Sequence, residues 1–389
     1  MWLFFFISFY ILFVAFLLHI LPSGGRVILA DKSSIYWIKK KTVFLFFCLT
    51  FLCLLSALRS VNVGNDTHNY LDIYKNIHSF DGESYEGHFE IGYMLLNLLL
   101  RSISEEPQTI LIATSIIIFV GYGRFIFKYS KIVWLSVFLV LTNGFFTFAL
   151  SGIRQSIAII ILLVSYDYLR VNKFVKFLFI VVLASLFHSS AILFLFAYPI
   201  CNLKWNSSSL FLIIFIGGLF YAGFDILLSY VFEIFTTYQY YDGSMYFGDT
   251  RLASIMNLSI GCCILLCCHA LIFFTKNRKY YITDKNTICV DDEKMLFLVL
   301  IAVIILFISL KLNLFDRVAL YFNVFSIVVL PNCIRKIKKS GVRLFFCLAI
   351  VILFFTYALT IQLLRPEWNK IYPYTLYFNF QKSINYRTN

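Results

Sequence analysis

Eleven polar residues stand out in a chain that is otherwise strongly apolar: Arg59, Asp66, Tyr70, Glu90, Arg154, Gln155, His188, Arg251, Asp316, Arg317 and Tyr321. Their types suit two tasks. Guanidinium groups grip carboxylate or phosphate oxygens bidentately, and a carboxylate or an imidazole can take a proton from an attacking hydroxyl. Each also has a structural explanation, because an arginine near a helix end snorkels to headgroups and a loop carboxylate is commonly just solvated.

Local context separates them. Arg154 stands in Ala149-Leu150-Ser151-Gly152-Ile153-Arg154-Gln155, with apolar helix on both sides and almost no loop, so its charge needs an anionic partner. Arg317, in Leu314-Phe315-Asp316-Arg317-Val318, is similar, although Asp316 could neutralise it locally and make the pair structural. His188 is either a packed, hydrogen-bonded histidine or, if the helix breaks at Phe187-His188-Ser189-Ser190, part of a polar wall. Asp66 and Tyr70 are one helical turn apart and face the same way, with N-capping by Asn65 or Asp66 as the ordinary alternative. Glu90 precedes the apolar run 94–100; a carboxylate that close to lipid can have a raised pKa and serve as acid or base.

The elements that must position these residues are membrane helices. The chain is 61% hydrophobic and 14% charged, with a mean hydropathy of +0.84, far from the balance of a water-exposed domain. Apolar runs at 2–21, 43–58, 134–150, 210–232, 252–274, 296–310 and 344–363 approach the length that crosses a hydrocarbon core of about 30 Å. The first run lacks a basic n-region and a small-residue cleavage site, so it reads as a retained span.

Charge fixes an orientation. Arg26, Lys32, Lys39, Lys40 and Lys41 place the first connection in the cytoplasm. The connection 59–107, with eight acids against three Lys or Arg, then falls outside. It includes a helix near 89–102 lying along the outer leaflet. Had the segment 174–201 crossed once, the run Arg335, Lys336, Lys338, Lys339 and Arg343 would lie outside, against the positive-inside rule. A broken pair of short arms turning at His188 restores the rule. The expectation is an all-α polytopic protein, residues 1–389 as a single transmembrane domain, with about twelve transmembrane segments, both ends outside and an external tail at 365–389. The eleven polar residues then gather at the outer ends of different spans, around an outward-facing cavity.

The net charge of +13 lies in short runs between spans, which argues for membrane topology and against nucleic acid. Ten cysteines sit almost entirely in apolar runs and behave as small core hydrophobes. The quartet Cys262, Cys263, Cys267 and Cys268 lacks the external His or Cys cluster a metal site would need.

The stretch Ser151-Gly152-Ile153-Arg154-Gln155-Ser156-Ile157-Ala158, followed by Ala184-Ser185-Leu186-Phe187-His188-Ser189-Ser190-Ala191, resembles the EpsG/Wzy group of bacterial polysaccharide polymerases. Asp66 with Tyr70, Glu90 with Gly92-Tyr93, Asp316-Arg317 with Tyr321, and the terminal Trp368-Asn369-Lys370-Ile371-Tyr372-Pro373-Tyr374 look similar in the same order. Ile91 departs from the proline expected there. The resemblance implies a GT-C-like membrane glycosyltransferase of the inner membrane. It would join undecaprenyl-pyrophosphate-linked repeat units, as donor and acceptor, into O-antigen or a related surface polysaccharide at the periplasmic face.

On that reading Arg154 and Arg317 bind the pyrophosphate and stabilise its departure, with Arg251 and Arg59 as weaker candidates. Gln155, Tyr321 and Tyr70 join them as substrate ligands. Glu90, Asp66 and His188 compete to accept the attacking hydroxyl's proton. Neither a cofactor nor an obligatory metal is expected, since the leaving group is already activated by two phosphates. A chain-length regulator protein is a further partner that the resemblance allows. Other readings are an O-antigen ligase, whose large external loop would lie later in the chain, and a lipid-linked oligosaccharide flippase or transporter. An acyltransferase would use a deep histidine, for which His269 is the approximate candidate.

Overall fold

The computed structural model describes residues 2–20, 26–31, 34–77, 89–234, 252–276, 288–364 and 370–378. Arg251, Trp368 and Asn369, the stretch 78–88 of the outer connection, and residues 365–369 and 379–389 of the tail lie outside these residues. The chain forms two compact units, one of Met1–Val164, Phe179–Ser189 and Lys338–Asn389, the other of Ser165–Leu178 and Ser190–Ile337.

The chain begins with α1 (Trp2–Ile20), a hairpin of β1 (Arg26–Asp31) and β2 (Ser34–Lys39), and α2 (Lys40–Ala57). Two short helices follow, α3 (Thr67–Asn76) and α4 (Ile91–Arg101), and then the long α5 (Gln108–Tyr129). Next come α6 (Val133–Thr142), α7 (Phe145–Ser151), α8 (Ile153–Leu169) and α9 (Phe174–Ser185), a 3-10 helix Ser189–Phe196, and α10 (Ala197–Cys201). The remainder is α11 (Ser207–Ala222), α12 (Phe224–Ile234), α13 (Leu252–Lys276), α14 (Ile288–Ile308), α15 (Phe315–Asn323), α16 (Ser326–Arg335) and α17 (Ser340–Leu364). The helical class holds, with one addition: β1 and β2 pair antiparallel, Arg26 opposite Lys39 and Asp31 opposite Ser34.

The expected dozen crossings are corrected. Among the described residues, five helices are long and apolar enough to cross a membrane, α1, α2, α5, α13 and α17, or up to seven if each of two bent pairs is one span. The reasons are local. The run at 134–150 is α6 and α7, bent by 49° where Gly144 takes a φ of +81°. The run at 210–232 is interrupted at Gly223 between α11 and α12. The run at 296–310 belongs to α14, which starts further back and carries Asp291, Asp292, Glu293 and Lys294 in its opening turns. The two arms around His188 are present as α9 and the 3-10 helix, and both belong to the shorter apolar helices. Without a dozen crossings, the parity argument for which face each connection occupies no longer holds.

In the first unit α2 packs along α5, while α1, α6 and α17 pack against one another. The outer faces of α1 and α17 leave Phe5, Phe9, Phe16, Phe345 and Ile352 exposed. Such surfaces suit acyl chains and would be an aggregation liability in water. In the second unit α14 packs on α13 and α15; a Cβ on Gly261 of α13 would lie 3.2 Å from Leu306 and Val303, so small size there permits the close crossing.

Candidate active site

The first unit brings Glu90, Arg154 and His188 together from three distant parts of the chain. Close backbone approaches set this up. Gly92, two residues after Glu90, donates its N–H to the Leu186 carbonyl at 2.8 Å, and a Cβ there would lie 2.7 Å from the same oxygen. Only glycine permits that approach, and it fixes the start of α4 beside the turn that carries His188. On the other side, Gly64 has a φ of +93° and a Cβ would lie 2.2 Å from the Leu150 carbonyl. Thr67 reaches the same carbonyl at 3.3 Å, and the Asn65 N–H meets Ser151 Oγ at 3.3 Å. The loop ahead of α3 is thereby pinned to the α7–α8 junction, where Arg154 stands in the first turn of α8.

A cation at a helix N-terminus opposes the helix dipole, so Arg154 requires compensation. Glu90 supplies it: Arg154 Nη1 donates to Glu90 Oε2 in a close ion pair, and the guanidinium sits 4.7 Å from the Phe89 ring centre. The other carboxylate oxygen takes the Ser189 N–H at 3.2 Å and lies 3.0 Å from His188 Nδ1. Burial pushes the Glu90 carboxyl up, but the His188 hydrogen bond and the Arg154 charge outweigh it and hold it at about 2. The raised value expected from lipid proximity is therefore corrected, since ligation wins over desolvation. Glu90 is a fixed anion and a weak base.

That constraint sorts the imidazole. An ionised carboxylate only accepts, so Nδ1 of His188 carries the hydrogen, and in the neutral ring Nε2 keeps its lone pair. The side chains of Glu90, Arg154 and His188 remain 15%, 22% and 27% exposed, enough to meet a ligand. Tyr70 is buried with its ring 5.6 Å from that of Tyr93, edge to face, and its hydroxyl lies beside Arg154. Burial raises the Tyr70 phenol, against the pull of Arg154. Asp66 occupies the N-cap position of α3 but makes no side-chain cap bond, so capping does not account for it. Gln155 is buried next to Arg154 in the chain, and Arg59 is wholly buried.

Arg317 and Tyr321 belong to α15 of the second unit and are described there separately. Asp316 is buried and accepts from Ser254 Oγ at 3.0 Å, while Arg317 next to it is exposed. Tyr321 is buried with its hydroxyl 2.9 Å from Ser190 Oγ. His269 Nδ1 accepts from Trp205 Nε1 at 3.1 Å, a packed arrangement that occupies the nitrogen facing Trp205. Among the described residues no three His, Cys, Asp or Glu side chains are placed to hold a metal.

Sequence reasoning missed two contributors, the Ser189 N–H and the Phe89 ring. The first carries no side-chain signal, because a backbone donor is available at any residue. The second was visible only as the neighbour of Glu90. The family model of the EpsG family matches residues 42–376, which include every residue of this cluster and the whole of α15. No curated protein and no solved structure matches the chain.

Proposed function

The chain belongs to the EpsG family, and on that premise we propose that it polymerises lipid-linked oligosaccharide repeat units into a surface polysaccharide. The five helices among the described residues that are able to cross a bilayer agree with a multi-pass protein of the bacterial inner membrane. The donor and acceptor are undecaprenyl-pyrophosphate-linked units, and the reaction takes place at the periplasmic face. The observation that supports this reading best is the Glu90 carboxylate bridging Arg154 and His188. It sets a guanidinium and an imidazole with a free lone pair on one anion.

In the reaction, a hydroxyl at the non-reducing end of the acceptor attacks the anomeric carbon of the donor. The new glycosidic C–O bond forms as the bond to the pyrophosphate breaks, and the electron pair leaves with the lipid pyrophosphate. His188 Nε2 takes the hydroxyl proton, with Glu90 orienting the ring and stabilising the imidazolium that results, as a carboxylate behind a histidine does elsewhere. Arg154 meets the charge that gathers on the leaving oxygens. Its Nε is buried and has no hydrogen-bond acceptor among the described residues, so it has a donor left for the ligand.

Tyr70 and Gln155 flank Arg154 and orient the same group, and Asp66 beside Tyr70 remains a secondary proton acceptor. Arg317, exposed on α15, is a separate candidate for an anion of the same class, as are Tyr321 and Arg251. The amphipathic α4 turns Tyr93 and Asn97 inward and leaves Ile91, Leu95 and Leu99 exposed; it suits a position in the outer leaflet with Glu90 at its start. A chain-length regulator would act on the same assembly.

Deleting the gene and displaying the surface glycan by size tests the function. A lipid core bearing a single repeat is the expected outcome. A bare core would point to ligation or lipid flipping, and an unchanged ladder would remove all three readings.

A further inference from the structure

Thr67 has no part in the mechanism above, yet it is fully buried and its one hydroxyl serves three partners. Oγ1 donates to the Val63 carbonyl at 2.6 Å and reaches the Leu150 carbonyl at 3.3 Å, and Arg59 Nε donates to it at 3.4 Å. A bond to the carbonyl four residues back is ordinary for a threonine. The other two are tertiary. Leu150 lies 83 positions away, immediately before Ser151 and Gly152, where α7 gives way to α8 and Arg154 begins its turn.

Arg59 stands behind this hydroxyl. It is wholly buried; Nη1 donates to the Ser56 carbonyl and lies 3.3 Å from Ser56 Oγ. The guanidinium thus ties the last turn of α2 to the first turn of α3. The Arg59 carbonyl accepts from Gln108 Nε2 at 3.0 Å, and the same amide reaches the Ala57 carbonyl at 2.7 Å, which adds the start of α5. The C-terminal segment completes the frame: the Thr375 carbonyl accepts from Ser60 N at 2.9 Å, the Lys370 carbonyl from Gly64 N at 3.1 Å, and the Leu58 carbonyl from Tyr377 N at 2.9 Å. A side chain locked by such surroundings can hold a neighbouring group to within about 0.5 Å.

We propose that Thr67 is a positioning residue for Arg154, with Arg59 as its buttress and not as a ligand of the substrate. The inference rests on the polymerase reading for the reaction that Arg154 serves. Two elements meet the Arg154 guanidinium, its own helix α8 and α3, whose Tyr70 hydroxyl lies beside it. Thr67 precedes Tyr70 by one turn of α3 and touches the carbonyl one turn before Arg154, so it sets the separation of the two elements. The Asn65 N–H to Ser151 Oγ bond at 3.3 Å runs parallel to it. Gly64 lets the backbones meet, since a Cβ there would lie 2.7 Å from Thr67 Oγ1 and 2.2 Å from the Leu150 oxygen. Valine keeps the outline of threonine without the oxygen. Thr67→Val therefore takes a partner from the Leu150 carbonyl and from Arg59 Nε together, and a shift of about 1 Å at a group that meets developing charge can cost up to ~100-fold.

The test follows polymer formed by the full-length protein in phosphatidylcholine nanodiscs, with the lipid-linked repeat unit extracted from the deletion strain as substrate. Thr67→Val should lower kcat about 10-fold with KM within about twofold, and Thr67→Ser, which keeps the oxygen, should stay within about twofold of wild type. In an Arg154→Ala background Thr67→Val should cost less than about twofold more, because residues acting through one group are not additive. Hydrogen exchange supplies a readout independent of the reaction: the amides of 156–158, at the start of α8, should exchange about 10-fold faster in Thr67→Val. Full activity in folded Thr67→Val would overturn the proposal and leave the polymerase reading standing. An equal loss with and without Arg154 would do the same, as would unchanged exchange. If Thr67→Val does not fold, Thr67→Cys, a weaker donor, should lose about threefold, again only where Arg154 is present, and no loss would overturn the proposal. No polymer from wild type would remove the polymerase reading; faster exchange at 156–158 would then uphold the link from Thr67 to Arg154, and unchanged exchange would overturn it.

Discussion

Arg154 in the first unit and Arg317 in the second have the same sequence signature, a cation flanked by apolar helix. In the first unit a glycine-tight turn and a second loop converge on Arg154, and the carboxylate that offsets its charge comes from Glu90, 64 positions away in the chain. In the second, the adjacent Asp316 turns inward to Ser254, and Arg317 stays on the exposed side of α15. An adjacent opposite charge says little about pairing, because neighbours on a helix point about 100° apart. Charge compensation at Arg154 is tertiary, and it fixes a third residue, His188, in the same stroke.

The widest gap between the two arginines should appear in activity. With protein levels matched, Arg154→Ala should lose at least ~100-fold in polymer formed, and Arg154→Lys should recover part of it because an ammonium lacks the planar fork. Arg317→Ala should cost about tenfold for a single, solvated phosphate contact. Equal losses at the two positions would abolish the distinction drawn here.

The next effect concerns His188. His188→Ala should lower the chemical rate by about 100-fold while leaving inorganic pyrophosphate binding to Arg154 unchanged. A loss confined to binding would make His188 a ligand and return the role of base to Glu90 or Asp66.

A smaller effect is expected in stability. Glu90→Gln leaves a half-buried guanidinium without its anion, which costs about 2 kcal/mol at neutral pH. The Glu90 carboxyl is depressed in the folded state, from an ordinary 4.5 to about 2. Its contribution is therefore complete above the ordinary carboxylate range and is lost as pH falls through the folded value. Thermal unfolding of wild type and Glu90→Gln in detergent should differ by a constant amount from pH 8 to pH 5.5 and converge below pH 4. Parallel curves down to pH 3 would contradict the depressed value.

The smallest change belongs to the second unit. Asp316→Asn should cost about 1 kcal/mol of stability through its bond to Ser254 and leave the glycan ladder intact. A shortened ladder at full protein level would show that Asp316 serves chemistry after all.

Much of the candidate site was legible in the sequence because burying a charge has few solutions. Arg154 between apolar helices demanded an anion, and Glu90 and His188 stood out as polar residues beside apolar runs. The number of crossings was not legible. Hydropathy averages over a run of 17 or more residues, and Gly144 or Gly223 scarcely alters that average. Yet a bend at Asn143-Gly144 and a break at Gly223 each split an apolar run into two helices.

By itself, then, the sequence determined the membrane character of the protein, its family and the residues able to do chemistry, since these follow from composition and residue type. Only the tertiary structure decided that Glu90 is a clamped anion and not an acid with a raised pKa, and that Arg59 is buried with neutral oxygens as its hydrogen-bond partners among the described residues. Both outcomes depend on distances between segments far apart in the chain, and electrostatic energies at those distances outweigh the burial that a sequence can suggest.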